Sequence, residues 1–208
     1  MNKILKLSAI ALLASSTSLM AQTKAFEGAY AGIFGGAIGA EVNGYALPPL
    51  TEKDNFVTTK LKSRIHHLEG DIRDRVKLEK YFDKIKPEFA FHLAAQPLVI
   101  DSYHNPHYNF ETNLMGTVNF FEAVRKTSSL KVAVNVTTDK CYRNNEWIWG
   151  YRENEAMGGD DPYSASKGCS ELITHSYQKS FFSKKFKIAF GVGLNPLPSQ
   201  NVPTSLPS

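Results

Sequence analysis

Apolar and polar residues alternate along this chain in two rhythms, one suited to strands and one to helices. Phe89 to Ala95 and Lys131 to Thr137 are compact apolar runs of about seven residues that suit buried strands. Ala40 to Leu47 reads as a further strand ended by Pro48-Pro49, Ile65 to Leu68 as another, and Phe186 to Phe190 as a last short one. Between them the period lengthens. Arg73 to Ile85 carries apolar residues at 76, 78, 81, 82 and 85, which predicts an amphipathic helix. Pro106 to Lys126 predicts a long helix, and Asp160 opens another that runs to Phe182. Strands alternating with helices predict an α/β fold: a parallel, Rossmann-like sheet with helices on both faces.

The two ends lack this texture. Met1 to Gln22 has lysines at 3 and 6, an apolar run from Leu7 to Ala14, and small residues up to Ala21, as a secretory signal does. That run is too short to span a membrane. Residues 23–38 alternate glycine with aromatic and apolar residues and resemble the first strand of an outer-membrane barrel, but nothing downstream repeats the pattern. Residues 191–208 intersperse four prolines with serine and asparagine and read as a disordered tail. This leaves 39–190 as the folded domain.

Composition adds exclusions. The net charge is +4, with basic residues scattered, so there is no nucleic-acid footprint. The two cysteines, Cys141 and Cys169, have no paired ligands around them and form neither a disulfide framework nor a zinc pattern; no metal is expected.

Candidate chemistry gathers at strand ends, where ligands of parallel sheets lie. Tyr163 and Lys167 form a Tyr-x-x-x-Lys pair that shares one helix face. There an ammonium can favour a phenolate, since free tyrosine ionises only near a pH of about 10. Asp71 follows one strand, either as an acceptor for an adenine amine or ribose, or as a turn residue capping the next helix. Ala94 and Ala95 end another, where small side chains admit either a flat cofactor or close helix packing. Thr138, Asp139 and Lys140 end a third, offering a hydroxyl, a carboxylate and an ammonium in an ordinary strand exit.

Taken in order, Gly70-Asp-Ile-Arg-Asp74, His92-Leu-Ala-Ala-Gln96, Thr112-Asn-Leu-Met-Gly-Thr117, Thr138-Asp-Lys-Cys-Tyr142, Trp147-Ile-Trp149 and Asp161-Pro-Tyr-Ser-Ala-Ser-Lys167 resemble the extended short-chain dehydrogenase/reductase family. Within it they are most similar to the sugar-nucleotide 4,6-dehydratases acting on CDP-glucose. The resemblance runs from about 39 to 189. It implies NAD as cofactor, CDP-glucose as substrate, a homodimer, and a cytoplasmic enzyme with no membrane attachment. Export is the alternative that the N-terminus suggests.

The resemblance also assigns roles. Tyr163 takes the proton of the sugar C4 hydroxyl, Lys167 lowers the phenol's pKa and holds the ribose, and Thr138 hydrogen-bonds the same oxygen. Asp139 protonates the departing C6 hydroxyl, and Lys140 stands at the position of the base. Asp71 and Ile72 match adenine-binding positions, and Leu93, Ala94, Ala95 and Gln96 line the cofactor. His66, His67, His104, His107 and His175 match no catalytic position and are expected at the surface or in caps.

Two family features are expected to be missing: the first strand with its glycine-rich turn and helix, and the C-terminal substrate subdomain. A fusion or truncation with impaired activity is the expectation that follows. The alternatives are a related epimerase or reductase, an exported envelope protein, and a non-catalytic remnant.

Overall fold

The computed structural model describes residues 41–182 in full, together with the backbone of Ala9–Leu12 and Lys187–Gly191. Six strands form one sheet: β1 (Ala9–Leu12), β2 (Val42–Ala46), β3 (His66–Glu69), β4 (Phe89–His92), β5 (Val132–Val136) and β6 (Lys187–Gly191). Their order is β3-β2-β1-β4-β5-β6, and every neighbouring pair is parallel. The order reverses between β1 and β4, and a crevice opens beyond the strand ends at such a point.

The central strand is the largest departure from expectation. Ala9–Leu12 lies within the run read as the core of a secretory signal. It pairs with β2 through Ala9↔Val42 and with β4 through Ala9↔Phe89. The strand position expected to be missing is therefore filled. The turn and helix expected after it fall outside the described residues, as do the glycine/aromatic stretch and, apart from Gly191, the proline-rich tail.

The helices are α1 (Asn55–Thr58), α2 (Arg75–Ile85), α3 (Val99–His104), α4 (Pro106–Phe110), α5 (Gly116–Lys126) and α6 (Pro162–Tyr177). The expected single helix over 106–126 is interrupted by one π-helical turn, Glu111–Met115, which joins α4 to α5. Sequence periodicity does not reveal an extra residue in one turn. Helix α2 starts where Asp74 accepts the Lys77 N–H at 3.0 Å. It stops at Lys86, whose left-handed φ of 47° directs its N–H to the Phe82 carbonyl.

Burial along β4 and β5 alternates as the pleat requires. Ala90 and His92 of β4 and Ala133 and Asn135 of β5 are buried beneath α2, α5 and α6. There Phe82, Phe120, Phe121, Val124, Leu78 and Tyr45 make the main core. Phe120 meets Phe82 edge-on at 6.1 Å and stacks on His92 at 4.9 Å. A smaller cluster, Phe56 and Leu61 with Ala46, Ile65 and Leu93, lies under the β2–β3 connection.

A polar seam joins α4 and α5 to α6. Asn109, Asn113 and Thr117 recur every four residues on one side, and Ser166, Ser170 and Thr174 on the other, all at most 1% exposed. Asn113 Nδ2 donates to Ser166 Oγ at 2.9 Å, and Thr117 and Ser170 share a hydrogen bond of 2.9 Å. Asn135 of β5 donates to Ser170 and Thr174 from beneath, at 3.2 and 2.8 Å. Buried polar groups matched in this way avoid the cost of lost hydration. Small side chains also let the helices approach closely.

Candidate active site

Helix α6 carries the Tyr-x-x-x-Lys pair, and its start is fixed by several contacts. Asp161 caps it, with Oδ1 accepting the Ser164 N–H at 2.9 Å. Pro162 takes the first turn, where no N–H is needed. From the neighbouring helices, Asn109 Nδ2 donates to the Pro162 carbonyl at 2.9 Å and the Tyr163 N–H donates to Ser102 Oγ at 3.2 Å. Gly159 lets the preceding loop press on this turn. A Cβ there would lie 2.3 Å from Ser164 Cβ and 2.7 Å from the Ser164 carbonyl carbon.

The pair therefore sits at a fixed depth. Tyr163 is 8% exposed and Lys167 is 7% exposed. The Thr138 hydroxyl, at the exit of β5, lies close enough to the Tyr163 phenol to favour its ionised form. It donates to Asp139 Oδ1 at 3.0 Å. The structure thus brings Thr138, Asp139, Tyr163 and Lys167 together. Lys140 is exposed, and its backbone N–H reaches Thr138 Oγ1 at 3.4 Å.

Electrostatics differ from the expected lowering of the phenol by the ammonium. Burial pushes the Tyr163 phenol up to about 12, and the charges of Asp139 and Asp161 add to this; the Thr138 hydroxyl works the other way. Burial lowers the Lys167 ammonium to about 8, against the opposing pull of the Glu171 carboxylate. Burial is the largest influence on both groups.

The expected cofactor residues separate into two places. Leu93, Ala94 and Ala95 are half-buried where β4 ends, beside the reversal of strand order, and Gln96 is buried. The Gln96 carboxamide donates through Nε2 to the Leu98 carbonyl at 3.0 Å, while its Oε1 is buried without a hydrogen-bond partner.

Asp71 and Ile72 lie beyond β3. The Asp71 carboxylate accepts the Arg73 N–H at 2.9 Å and the Arg73 guanidinium, with Nη2 to Oδ2 at 2.6 Å. These bonds hold Asp71 below the usual carboxylate range despite partial burial, which opposes them. The helix cap expected as an alternative role belongs to Asp74 instead. The Ile72 side chain is in the core, 5% exposed, against Gly116. Only its backbone N–H could serve a ligand, since its carbonyl accepts Asn119 Nδ2 at 3.0 Å.

Sequence reasoning missed His92, Asn113 and Glu171 as parts of this neighbourhood. Their signal is polarity inside otherwise apolar or periodic elements. Of the histidines expected at the surface or in caps, His66 is exposed 3.8 Å from Glu41, but His67 is half-buried against Phe56 at 4.6 Å. Among the described residues no cluster of His, Cys, Asp and Glu could hold a metal ion, and no helix is long and apolar enough to cross a membrane.

Comparison with known proteins fits this geometry. Over 177 residues the chain is 46% identical to CDP-glucose 4,6-dehydratase of Salmonella typhimurium, an alignment covering 85% of this chain and 49% of that protein. It is 34% identical over 122 residues to dTDP-D-glucose 4,6-dehydratase of Dictyostelium discoideum, covering 54% of this chain and 28% of that protein. Among solved structures, UDP-glucose 4-epimerase of Thermus thermophilus in complex with NAD matches with a TM-score of 0.57 and 26% identity, over 72% of this chain and 46% of that one. The Streptomyces venezuelae dTDP-glucose 4,6-dehydratase DesIV shares the fold, with a TM-score of 0.61 at 24% identity over 72% of this chain and 45% of that one. The chain thus spans about half the length of the relative it matches at 46% identity. The GDP-mannose 4,6 dehydratase family model covers residues 46–190, and the chain belongs to that family.

Proposed function

We propose that this chain is the cofactor-binding and catalytic part of an NAD-dependent sugar-nucleotide 4,6-dehydratase acting on CDP-glucose. The observation that carries the reading is the placing of Thr138, at the exit of β5, beside buried Tyr163, with Lys167 one helical turn beyond. The 46% identity to a CDP-glucose enzyme supports the substrate. The epimerase alternative draws on more distant relatives, such as the 29% identical CDP-paratose 2-epimerase of Salmonella typhi.

The residues at the crevice fit NAD. The buried, unpartnered Gln96 Oε1 is an acceptor facing the β4 end. Half-buried Ala94 and Ala95 leave backbone open to a flat ring. Asp71 and the Ile72 N–H would hold the adenine, and Lys167 the ribose. NAD, when bound, supplies an acceptor for the hydride of sugar C4, returns it to C6, and places a positive ring beside the site.

The chain's own groups handle the protons. Thr138 and Tyr163 hold the C4 hydroxyl, and the Tyr163 oxygen receives its proton. With its high pKa, Tyr163 needs the Thr138 hydroxyl and the Lys167 charge to act as a base near neutrality. Once C4 is a ketone, the C5 proton is acidic; Lys140, at the position of the base, would take it as a free amine and give it back to C5 when C6 receives the hydride. Asp139 protonates the C6 hydroxyl as it leaves as water.

Incubating the purified chain with NAD and CDP-glucose tests this. Formation of the 4-keto-6-deoxy sugar nucleotide, lost in Tyr163→Phe, is the expected result. Saturable NAD binding without product would overturn the dehydratase reading, and absence of NAD binding would overturn the cofactor reading.

A further inference from the structure

Glu171 is a buried carboxylate to which no role has been given above. It lies on α6 four residues beyond Lys167, so both share one helix face, and it is 9% exposed. A charged side chain so deep needs a partner. One is Thr137, the last residue before Thr138, whose hydroxyl donates to the Glu171 carboxylate. The other is the charge of Lys167.

The groups facing Lys167 are few. Glu171 acts on it from α6, where Tyr163 lies one turn before it, His92 from β4, and Cys141 from the short turn after β5. Burial holds His92 neutral near pH 7, with its pKa lowered to about 3, and holds the Cys141 thiol protonated by raising it to about 12. Among the described residues this leaves Glu171 as the anion that faces the ammonium.

We propose that Glu171 is a positioning residue that acts through Lys167 and Thr137, holding the ammonium and the Thr138 hydroxyl against Tyr163. Without its charge, burial acts on Lys167 unopposed, and the side chain loses its proton at a lower pH. Without its grip on Thr137, the exit of β5 is free to shift relative to α6. The proposal rests on the functional reading only for what Lys167 does in turnover, not for its charge.

The test follows the side-chain ammonium signal of Lys167 by NMR across pH in the full chain, with Lys167→Ala to assign it. In Glu171→Gln the midpoint is expected to fall by about one pH unit, the lower end of what a neighbouring charge does. Glu171→Asp, which keeps the charge, is expected to restore most of the shift. Glu171→Ser is a second neutral variant with the same expectation. An unmoved midpoint in whichever neutral variant folds would overturn the proposal. Failure of both neutral variants to fold would also overturn it, by assigning Glu171 to core stability alone. The measurement uses neither NAD nor CDP-glucose, so failure of the functional reading is seen separately.

Discussion

Asn113 grips the backbone of Gln96 in both directions: its Oδ1 accepts the Gln96 N–H at 2.7 Å, and its Nδ2 donates to the Gln96 carbonyl at 3.1 Å. The end of β4 is thereby tied to the π-helical turn between α4 and α5. Asn113→Ala orphans both backbone groups at once, while Ser166 keeps its bond to the Tyr163 carbonyl. Each buried unsatisfied group costs about 1–3 kcal/mol, so a total loss of about 3 kcal/mol is expected in denaturant unfolding. Weaker NAD binding should accompany it, because Gln96 loses its anchor.

Tyr163→Phe keeps the ring and removes only the phenol oxygen. Turnover of CDP-glucose is expected to fall about a thousandfold, within the usual range for a general acid–base group. Stability should change by less than about 1 kcal/mol, since at most one hydrogen bond is lost. Thr138→Val should show a smaller loss of turnover with the same unchanged melt. Steady-state kinetics beside thermal melts check both.

His92 makes the fold sensitive to acid. It is 2% exposed, its Nε2 lies 3.1 Å from Thr117 Oγ1, and Lys167 adds to the burial that lowers its pKa to about 3. The unfolded imidazole takes a proton near a pH of about 6.5. Below that value the unfolded chain binds more protons than the native one, so stability is complete above about pH 6.5 and falls as pH drops toward about 3. The slope is at most about 1.4 kcal/mol per pH unit. His92→Gln is expected to flatten this part of the curve, as measured by denaturant midpoints from about pH 7 down to about pH 4.

Gly159→Ala meets backbone rather than a movable side chain, with Ala165 N 2.8 Å from the new Cβ. The loop or the first turn of α6 must move. An overpacking cost of about 1–3 kcal/mol is expected. Turnover should fall with it, since Tyr163 lies in that turn. Gly150→Ala is the control, because a Cβ there meets nothing within 4 Å.

Much of the fold was legible because its elements carry strong local signals. The apolar runs became β4 and β5, and of the stripe at 76, 78, 81, 82 and 85 all but the exposed Val76 became the inner face of α2. The start of α6 was expected at Asp160, and its cap falls one residue on, at Asp161. The central strand was not legible, for a physical reason. A strand buried on both faces reads as an unbroken apolar run, and so does the core of a secretory signal. In the structure Ala9–Leu12 pairs with β2 and β4. Helix α3 was missed because its six residues hold too little period to detect. The candidate catalytic residues were legible from spacing, but their electrostatics were not. Spacing gives a shared helix face, and it does not give the depth at which burial dominates the ionisation of Tyr163.

The seam along α6 repeats at equal intervals on both sides, like a ruler whose marks are all alike. Slid by one turn, the helix would set Ser170 against Asn113 and Thr174 against Thr117, meeting hydroxyls and amides much as before. The seam therefore measures the helix without fixing where the scale begins. The zero is set at the first turn, where Asn109 holds Pro162 and Ser102 holds the Tyr163 N–H. Were it lost, Lys167 would come to rest where Tyr163 stands, and an amine would lie beside Thr138 in place of a phenol.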